Sequence, residues 1–551
     1  MSNSRKVQSI ALMLALAIAR LAGSPASAQS SGVGDANTSG VSDMEIAGVD
    51  SFAKVYPPQG DALKAARKLL LDGHYPEYVQ QLKIAGANGD MQCMNELAAL
   101  YNEGRIVEPD QKKAFAIWQE LTAKQYGPAL YNLGLLYAKG ETCAKDHDKS
   151  LSLFSQATQS GCDYGIFGAA CLSQYGYGGK TDSTRAMALY EELAAKDSPL
   201  GWYGKANLLC SGTAVKADPK QAISLFERAA QAGLPEAQRC LSDIYYYGEK
   251  VPSNYKLARH WAEQGSAQGD AECQLRLSDF KLNGIGGPKD CQGGISLLKA
   301  LAEQSVLEAQ NRLGHYYRIG NCVEKNLVSA KYWLEKAAAR NYLRAINELA
   351  CLYFYGEGVP KDLKMAFELN LKVAGLKNAD PSERASSEYG VGLAYDKGWG
   401  VKKDLKQARI WYARAAAAGN PHACNNLSNI YMEGRGCPAN PALAMSLRRL
   451  GVKNGCWMAC QNLAADYQYG LNGVSKNISE AIRLYKKSLE LRTENPIATL
   501  ELAKIYEQGL AGKGNRKLAR QYYMEAAKYG SEEARKKLGQ QRNQTTRKCQ
   551  K

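Results

Sequence analysis

One glycine column governs what this chain can fold into. It runs Gly104, Gly140, Gly176, Gly212, Gly248, Gly284, Gly320 and Gly356, with a step of 36 residues each time. It continues at Gly398, Gly434, Gly470 and Gly509, with steps of 42, 36, 36 and 39. A fixed period of this length marks stacked supersecondary units, each too small to bury its own apolar face. A chain of 551 residues would otherwise suggest several unlike domains.

Two further columns keep the same register. Three residues before each glycine stand Tyr101, Tyr137, Ser173, Leu209, Tyr245, Lys281, Tyr317, Tyr353, Tyr395, Tyr431, Tyr467 and Tyr506. About ten residues after it stand Ala114, Ser150, Ala186, Ala222, Ala258, Gly294, Ala330, Ala366, Ala408, Ala444, Ala481 and Ala519. The apolar residues of Leu133 to Tyr137 gather on one broad helical face, which strand alternation cannot produce. Each unit therefore reads as helix, glycine turn, helix. Glycine ends the first helix because the left-handed position there costs a residue without Cβ least. The small residue lets the second helix approach closely. The tyrosine ring packs between helices while its hydroxyl finds a polar partner. The expectation is an all-α solenoid of about twelve 36-residue helix-turn-helix repeats over 91–531, with the two longer steps absorbed in loops.

The ends differ in composition. Arg5 and Lys6, the apolar run Ile10 to Ala19 and Ala26-Ser-Ala28 read as a secretory signal over 1–28, with Gln29 as the mature start. A ten-residue apolar run is too short to span ~30 Å of hydrocarbon, and no later segment is apolar enough to do so. The reading is thus an exported chain with no membrane span in its mature form. Its compartment is then a periplasm, the extracellular space or a secretory lumen. Residues 29–59 are a polar, flexible leader, 60–90 a helical cap, and 532–551 a thirteenth first helix with a basic tail. The formal charge is +16, and Arg535, Lys536, Lys537, Arg542, Arg547, Lys548 and Lys551 concentrate part of it at the end. Such a tail can touch acidic surfaces, whereas nucleic acid is not an expected partner of an exported protein.

The segments Gly356-Glu-Gly-Val-Pro-Lys-Asp362 and Gly398-Trp-Gly-Val-Lys-Lys-Asp404, and the Lys-Gln-Ala-Arg-Ile-Trp-Tyr-Ala-Arg-Ala-Ala that follows the second, resemble the Sel-1-like repeat, a relative of the tetratricopeptide repeat. The resemblance implies a right-handed α/α superhelix that acts as an adaptor or scaffold and binds along a concave wall lined by first helices. Ligand-facing positions then lie about nine, five and two residues before the turn glycine. In the middle repeats these hold Tyr203, Asn207, Arg239, Asp243, Tyr246, Asn311, His315, Arg318 and Asn347, types suited to an extended peptide.

No catalytic constellation stands out. His74, His147, His260, His315 and His422 are scattered over separate units, and no nucleophile–base spacing accompanies them. No cofactor motif is present: Gly284-Ile-Gly-Gly287 lacks the preceding strand of a phosphate cradle. The alternative to a scaffold is a cell-envelope factor that binds or acts on peptidoglycan or β-lactams, as linked to some cysteine-rich relatives. The cysteine pair that those relatives carry in each repeat is missing. Of the 15 cysteines, Cys291 and Cys322 lie in loops of adjacent repeats where they can meet, and Cys240 and Cys273 lie on neighbouring first helices. Cys549 reads as the odd free thiol. His422, Cys424, Cys456 and Cys460 cluster without matching any short metal motif, so packing or a disulfide is the expectation there.

Overall fold

The computed structural model describes residues 60–539, apart from 141, 177–180, 213–215, 249–250, 377–380, 511 and 513–514. The signal, the leader, most of the basic tail and Cys549 lie outside the described residues. No strand occurs among the described residues. The helices Asp61–Leu71 and Tyr75–Ala87 form the cap. Repeat one follows with Met91–Glu103 and Gln111–Ala123, and the same pair recurs down to Pro496–Glu507 and Arg516–Lys528. Residues 532–539 are helical, where a thirteenth first helix is expected.

The turn geometry is uniform because local chemistry sets it. Gly104 has φ 63°, Gly356 φ 75° and Gly398 φ 76°, all left-handed, and the Gly104 N–H donates to the Leu100 carbonyl at 2.9 Å. A fourth column also acts here. Asp110, Asp146, Asp182, Asp218, Asn254, Asp290, Asn326, Asp362, Asp404, Asn440, Asn477 and Asn515 each cap a second helix, and each side chain accepts from a backbone N–H inside the first turn. Each such cap contributes about 1 kcal/mol.

The tyrosine column is tolerant for a related reason. The capping residue's own N–H donates to that column's backbone carbonyl, at 2.9 Å for Asp110 to Tyr101, 2.8 Å for Asp182 to Ser173 and 2.7 Å for Asp290 to Lys281. The turn therefore closes whatever side chain is present. In three repeats the tyrosine hydroxyl has a polar partner: Lys113 Nζ lies 2.9 Å from Tyr101 Oη, Lys149 Nζ lies 2.7 Å from Tyr137 Oη, and Tyr245 donates to Glu227 at 2.9 Å. Lys281 instead reaches Asp290 at 3.0 Å. Gly294 replaces alanine because Leu282 fills that space: a Cβ there would stand 2.5 Å from Leu282 Cγ.

The long steps are not absorbed only in loops. The first helix of repeat nine, Pro381–Lys397, has 17 residues against the usual 13. Pro381 is pre-set for a helix start, and Glu383 in the first turn pairs with Arg344 at 2.7 Å, so part of the insertion winds into helix. The later step likewise lengthens Ile478–Leu491 to 14 residues.

The chain forms two compact units that divide after Arg340. In the first, a continuous core runs from Leu63 through Trp118 and Phe226 to Trp261. In the second, cores centre on Tyr412 with Leu427, and on Leu463 with Tyr485.

Cys291 and Cys322 are joined, with S–S 2.08 Å and a sequence separation of 31. Cys240 and Cys273 are both free. Cys240 Sγ faces Tyr203 Oη at 4.0 Å, whereas Cys273 packs against Gly265 of the second helix, so each thiol has a different neighbour. Closing the loop between Cys291 and Cys322 stabilises by about 3.5–4 kcal/mol through loss of unfolded-state entropy. A reducing agent is expected to lower the urea midpoint of the wild type, and a Cys291→Ala, Cys322→Ala variant should start lower and not respond to it.

Candidate interaction surface

The first helices of repeats five, six and seven are Pro235–Tyr247, Ala271–Asn283 and Leu307–Ile319. Asp243 of one pairs with Arg276 of the next at 2.5 Å. Asp279 pairs in the same way with Arg312 of the third helix, and Arg312 Nε also bonds Glu308 at 2.5 Å. Guanidinium and carboxylate groups thus alternate along three successive helices. Asp243 and Arg276 keep 23% and 26% side-chain exposure, so solvent and a partner reach them. Glu236, Glu272 and Glu308 each sit in the first turn of these helices, where the helix dipole favours a negative charge.

Burial pushes the Asp243 carboxyl above its ordinary value, although Arg276 and Arg239 oppose it. Burial raises Glu272 too, against the pull of Arg239. These charges are partly stripped of water and already held in place. Such groups act on a partner's charges and main-chain dipoles more strongly than freely solvated ones do. Tyr246 extends the strip: its ring lies 5.5 Å from Phe280, with the Arg276 guanidinium 5.9 Å from its centroid.

The sequence-selected residues do not all share one surface. Arg239, Asp243 and Tyr246 stand on the charged strip. Asn207, His315 and Arg318 are half-buried, Asn207 beside the Tyr203 hydroxyl and His315 with its ring 6.3 Å from Tyr316. Tyr203 is a correction: it is 2% exposed, with its ring between Phe167 and Phe226 at 6.2 and 5.8 Å. The cause is close helix approach at Gly204, where a Cβ would stand 2.1 Å from the Tyr190 ring, so this register turns into the core. Asn311 is buried as well. Asn347 belongs to the unit that follows Arg340, where it accepts from Ser387 Oγ at 2.5 Å. It borders a cavity of about 220 Å³ walled by Phe354, Phe367, Tyr389 and Trp399. In that unit an ion pair, Arg344 to Glu383 at 2.7 Å, and amides, as between Asn462 and Asn425 at 3.0 Å, both link first helices.

The sequence reading passed over Arg276, Asp279 and Arg312. Arginine lies one column off the predicted register, eight residues before the glycine, where it faces back toward the preceding repeat. A signal existed: Asp243 and Asp279 are 36 residues apart, as are Arg276 and Arg312, and Glu236, Glu272 and Glu308 share the same step.

In the cysteine–histidine cluster, Cys456 Sγ lies 3.8 Å from His422 Nδ1 and accepts from the Ala459 N–H. Burial pushes Cys424 up to about 12 and Cys460 up to about 11, so both stand as thiols at neutral pH. Among the described residues, no three His, Cys, Asp or Glu side chains converge as a metal site.

The Sel1 repeat model matches twelve stretches: 92–123, 127–162, 164–198, 202–234, 235–270, 271–306, 307–342, 343–370, 385–420, 421–451, 457–492 and 496–531. The chain belongs to the Sel1-repeat family. These matches follow the helix pairs described above, and Sel1-repeat proteins are generally non-catalytic scaffolds that bind proteins. Among curated proteins, the Sel1-repeat chain is 30% identical over 174 residues to chitin synthase regulatory factor 3 of Schizosaccharomyces pombe, covering 30% of this chain and 18% of that protein. It is 31% identical over 133 residues to cytochrome c oxidase assembly factor 7 of Xenopus tropicalis, covering 24% of this chain and 56% of that one. It therefore spans only part of the length of the curated relatives it matches. Among solved structures, a protective antigen of uropathogenic Escherichia coli displaying an SLR fold is 25% identical, with 84% of this chain and 97% of that chain covered and a TM-score of 0.46.

Proposed function

We propose that this Sel1-repeat chain is an exported, non-catalytic scaffold that recognises an extended segment of a partner protein on the first-helix wall of repeats five to seven. The observation that carries this reading is the alternating strip of Arg239, Asp243, Arg276, Asp279, Arg312 and Glu308, partly exposed and joined from repeat to repeat by ion pairs. A strip of fixed donors and acceptors at helix-to-helix spacing suits a main chain lying across the helices, with Tyr246 offering aromatic area. The two curated relatives, named as a regulatory factor and an assembly factor, are in keeping with a role in partner binding. The signal-like residues 1–28 and the Cys291–Cys322 disulfide support an oxidising compartment outside the cytosol.

The test is a pull-down from envelope extract with the purified mature protein, followed by titration of the captured partner. Arg276→Ala with Arg312→Ala is expected to weaken binding by about 30-fold, equivalent to ~2 kcal/mol, in a variant that melts at a lower temperature but stays folded by circular dichroism at the assay temperature. Unchanged affinity would move the site elsewhere. Sequencing of the secreted form should begin at Gln29. Turnover of a β-lactam reporter by the clean protein would sink the non-catalytic reading.

A further inference from the structure

Repeats of a solenoid ordinarily touch only their neighbours. Within the unit that ends at Arg340 the described residues depart from this rule where the cap and repeat one meet the end of repeats six and seven. The Ile106 N–H, in the turn of repeat one, donates to the Gln304 carbonyl at 2.9 Å. Arg105 bonds the Gln304 side chain at 2.6 Å across 199 residues of sequence. Arg340, after the second helix of repeat seven, donates to the Gly104 carbonyl at 2.8 Å and to the Glu103 carbonyl at 3.2 Å. From the cap, Tyr75 donates to the Ala300 carbonyl at 3.2 Å and accepts from Gln304 Nε2 at 3.1 Å.

The residues on both sides are shaped for this contact. Gln304 is buried although it ends a second helix on a loop. Ile106 and Ser305, which flank the contact, hold left-handed backbones at φ 65° and 62°, as the matching positions do in other repeats (Gly286 at 70°, Asn341 at 59°), so the repeat's own turn geometry presents both loops to each other. At Gly104 a Cβ would stand 2.4 Å from an Arg340 nitrogen, so here the turn glycine also admits the guanidinium.

We propose that these contacts are a clasp that closes the cap and repeats one to seven into a ring. The clasp is built from hydrogen bonds, most of them to backbone carbonyls. Each contributes modestly, so the clasp opens without unfolding the helices it joins. It couples repeats one and seven, which nearest-neighbour packing leaves independent. The inference stands apart from the identity of any partner.

Hydrogen exchange of the full chain, read by mass spectrometry, tests it. In the wild type the amides at 105–107 should be protected. In Arg340→Ala with Gln304→Ala they should exchange about 10-fold faster, while the first helices of repeats three and four are unchanged. Small-angle scattering of the same variant should show a larger radius of gyration. If the double variant does not fold, Tyr75→Phe removes only hydroxyl contacts and should still speed exchange at 105–107. Unprotected amides in the wild type, or folded variants that exchange and scatter like the wild type, would overturn the clasp.

Discussion

Replacing Trp118 by alanine is expected to cost about 3–5 kcal/mol, the range for removing a fully buried tryptophan. Trp118 is 0% exposed in the second helix of repeat one, and its volume fills the junction with the first helices of repeats one and two. It also holds a polar group in place. Its Nε1 donates to Asn95 Oδ1 at 3.0 Å, and Asn132 Nδ2 donates to the same oxygen at 2.9 Å. Both asparagines are buried, so deleting the indole opens a cavity and removes one of the donors that satisfy Asn95. Trp118→Phe keeps most of the volume and loses the donor, so its cost should fall between wild type and alanine. Urea melts followed by circular dichroism, with hydrogen exchange across 91–139, measure both. An alanine variant within about 1 kcal/mol of wild type would mean the site collapses to fill the space.

The second large effect is expected at Asp466→Ala. Asp466 and Arg448 form an ion pair at 2.5 Å, with side chains only 4% and 7% exposed. Arg448 also bonds Asn429 at 3.1 Å, and Asp466 accepts from Asn472 at 2.7 Å, so the pair ties the first helices of repeats ten and eleven to the second helix between them. Removing the carboxylate alone leaves a buried guanidinium with its main counter-charge gone, a loss of about 3–5 kcal/mol. Removing both charges is different, because the desolvation penalty disappears with them. Arg448→Met with Asp466→Leu should recover most of the lost stability. Thermal melts of the single and double variants decide it. A single variant as stable as wild type would show that water reaches the guanidinium.

What was legible in the sequence was local. The glycine column, the small-residue column and the helix–turn–helix rhythm follow from interactions within a few residues, and repetition made them unmistakable. The Asp/Asn capping column was equally legible and equally local, running from Asp110 to Asn515. Charges recurring at the repeat step, as in Arg276 and Arg312, could also have been read, but not their partners. What only the tertiary structure decided was every choice that depends on how one repeat leans on the next. Tyr203 and Arg239 occupy the same register, yet one is buried between phenylalanines and the other stands among carboxylates. At Gly204, one position after Tyr203, the absent Cβ lets the Tyr190 ring come close, whereas the matching position after Arg239 is Cys240. Cys291 meets Cys322 while Cys240 and Cys273 stay free, because a three-residue offset in register gives each side chain a different neighbour. Arg340 reaches Gly104 only because small rotations add up along the repeats until the chain returns to its beginning. No window of sequence contains that sum.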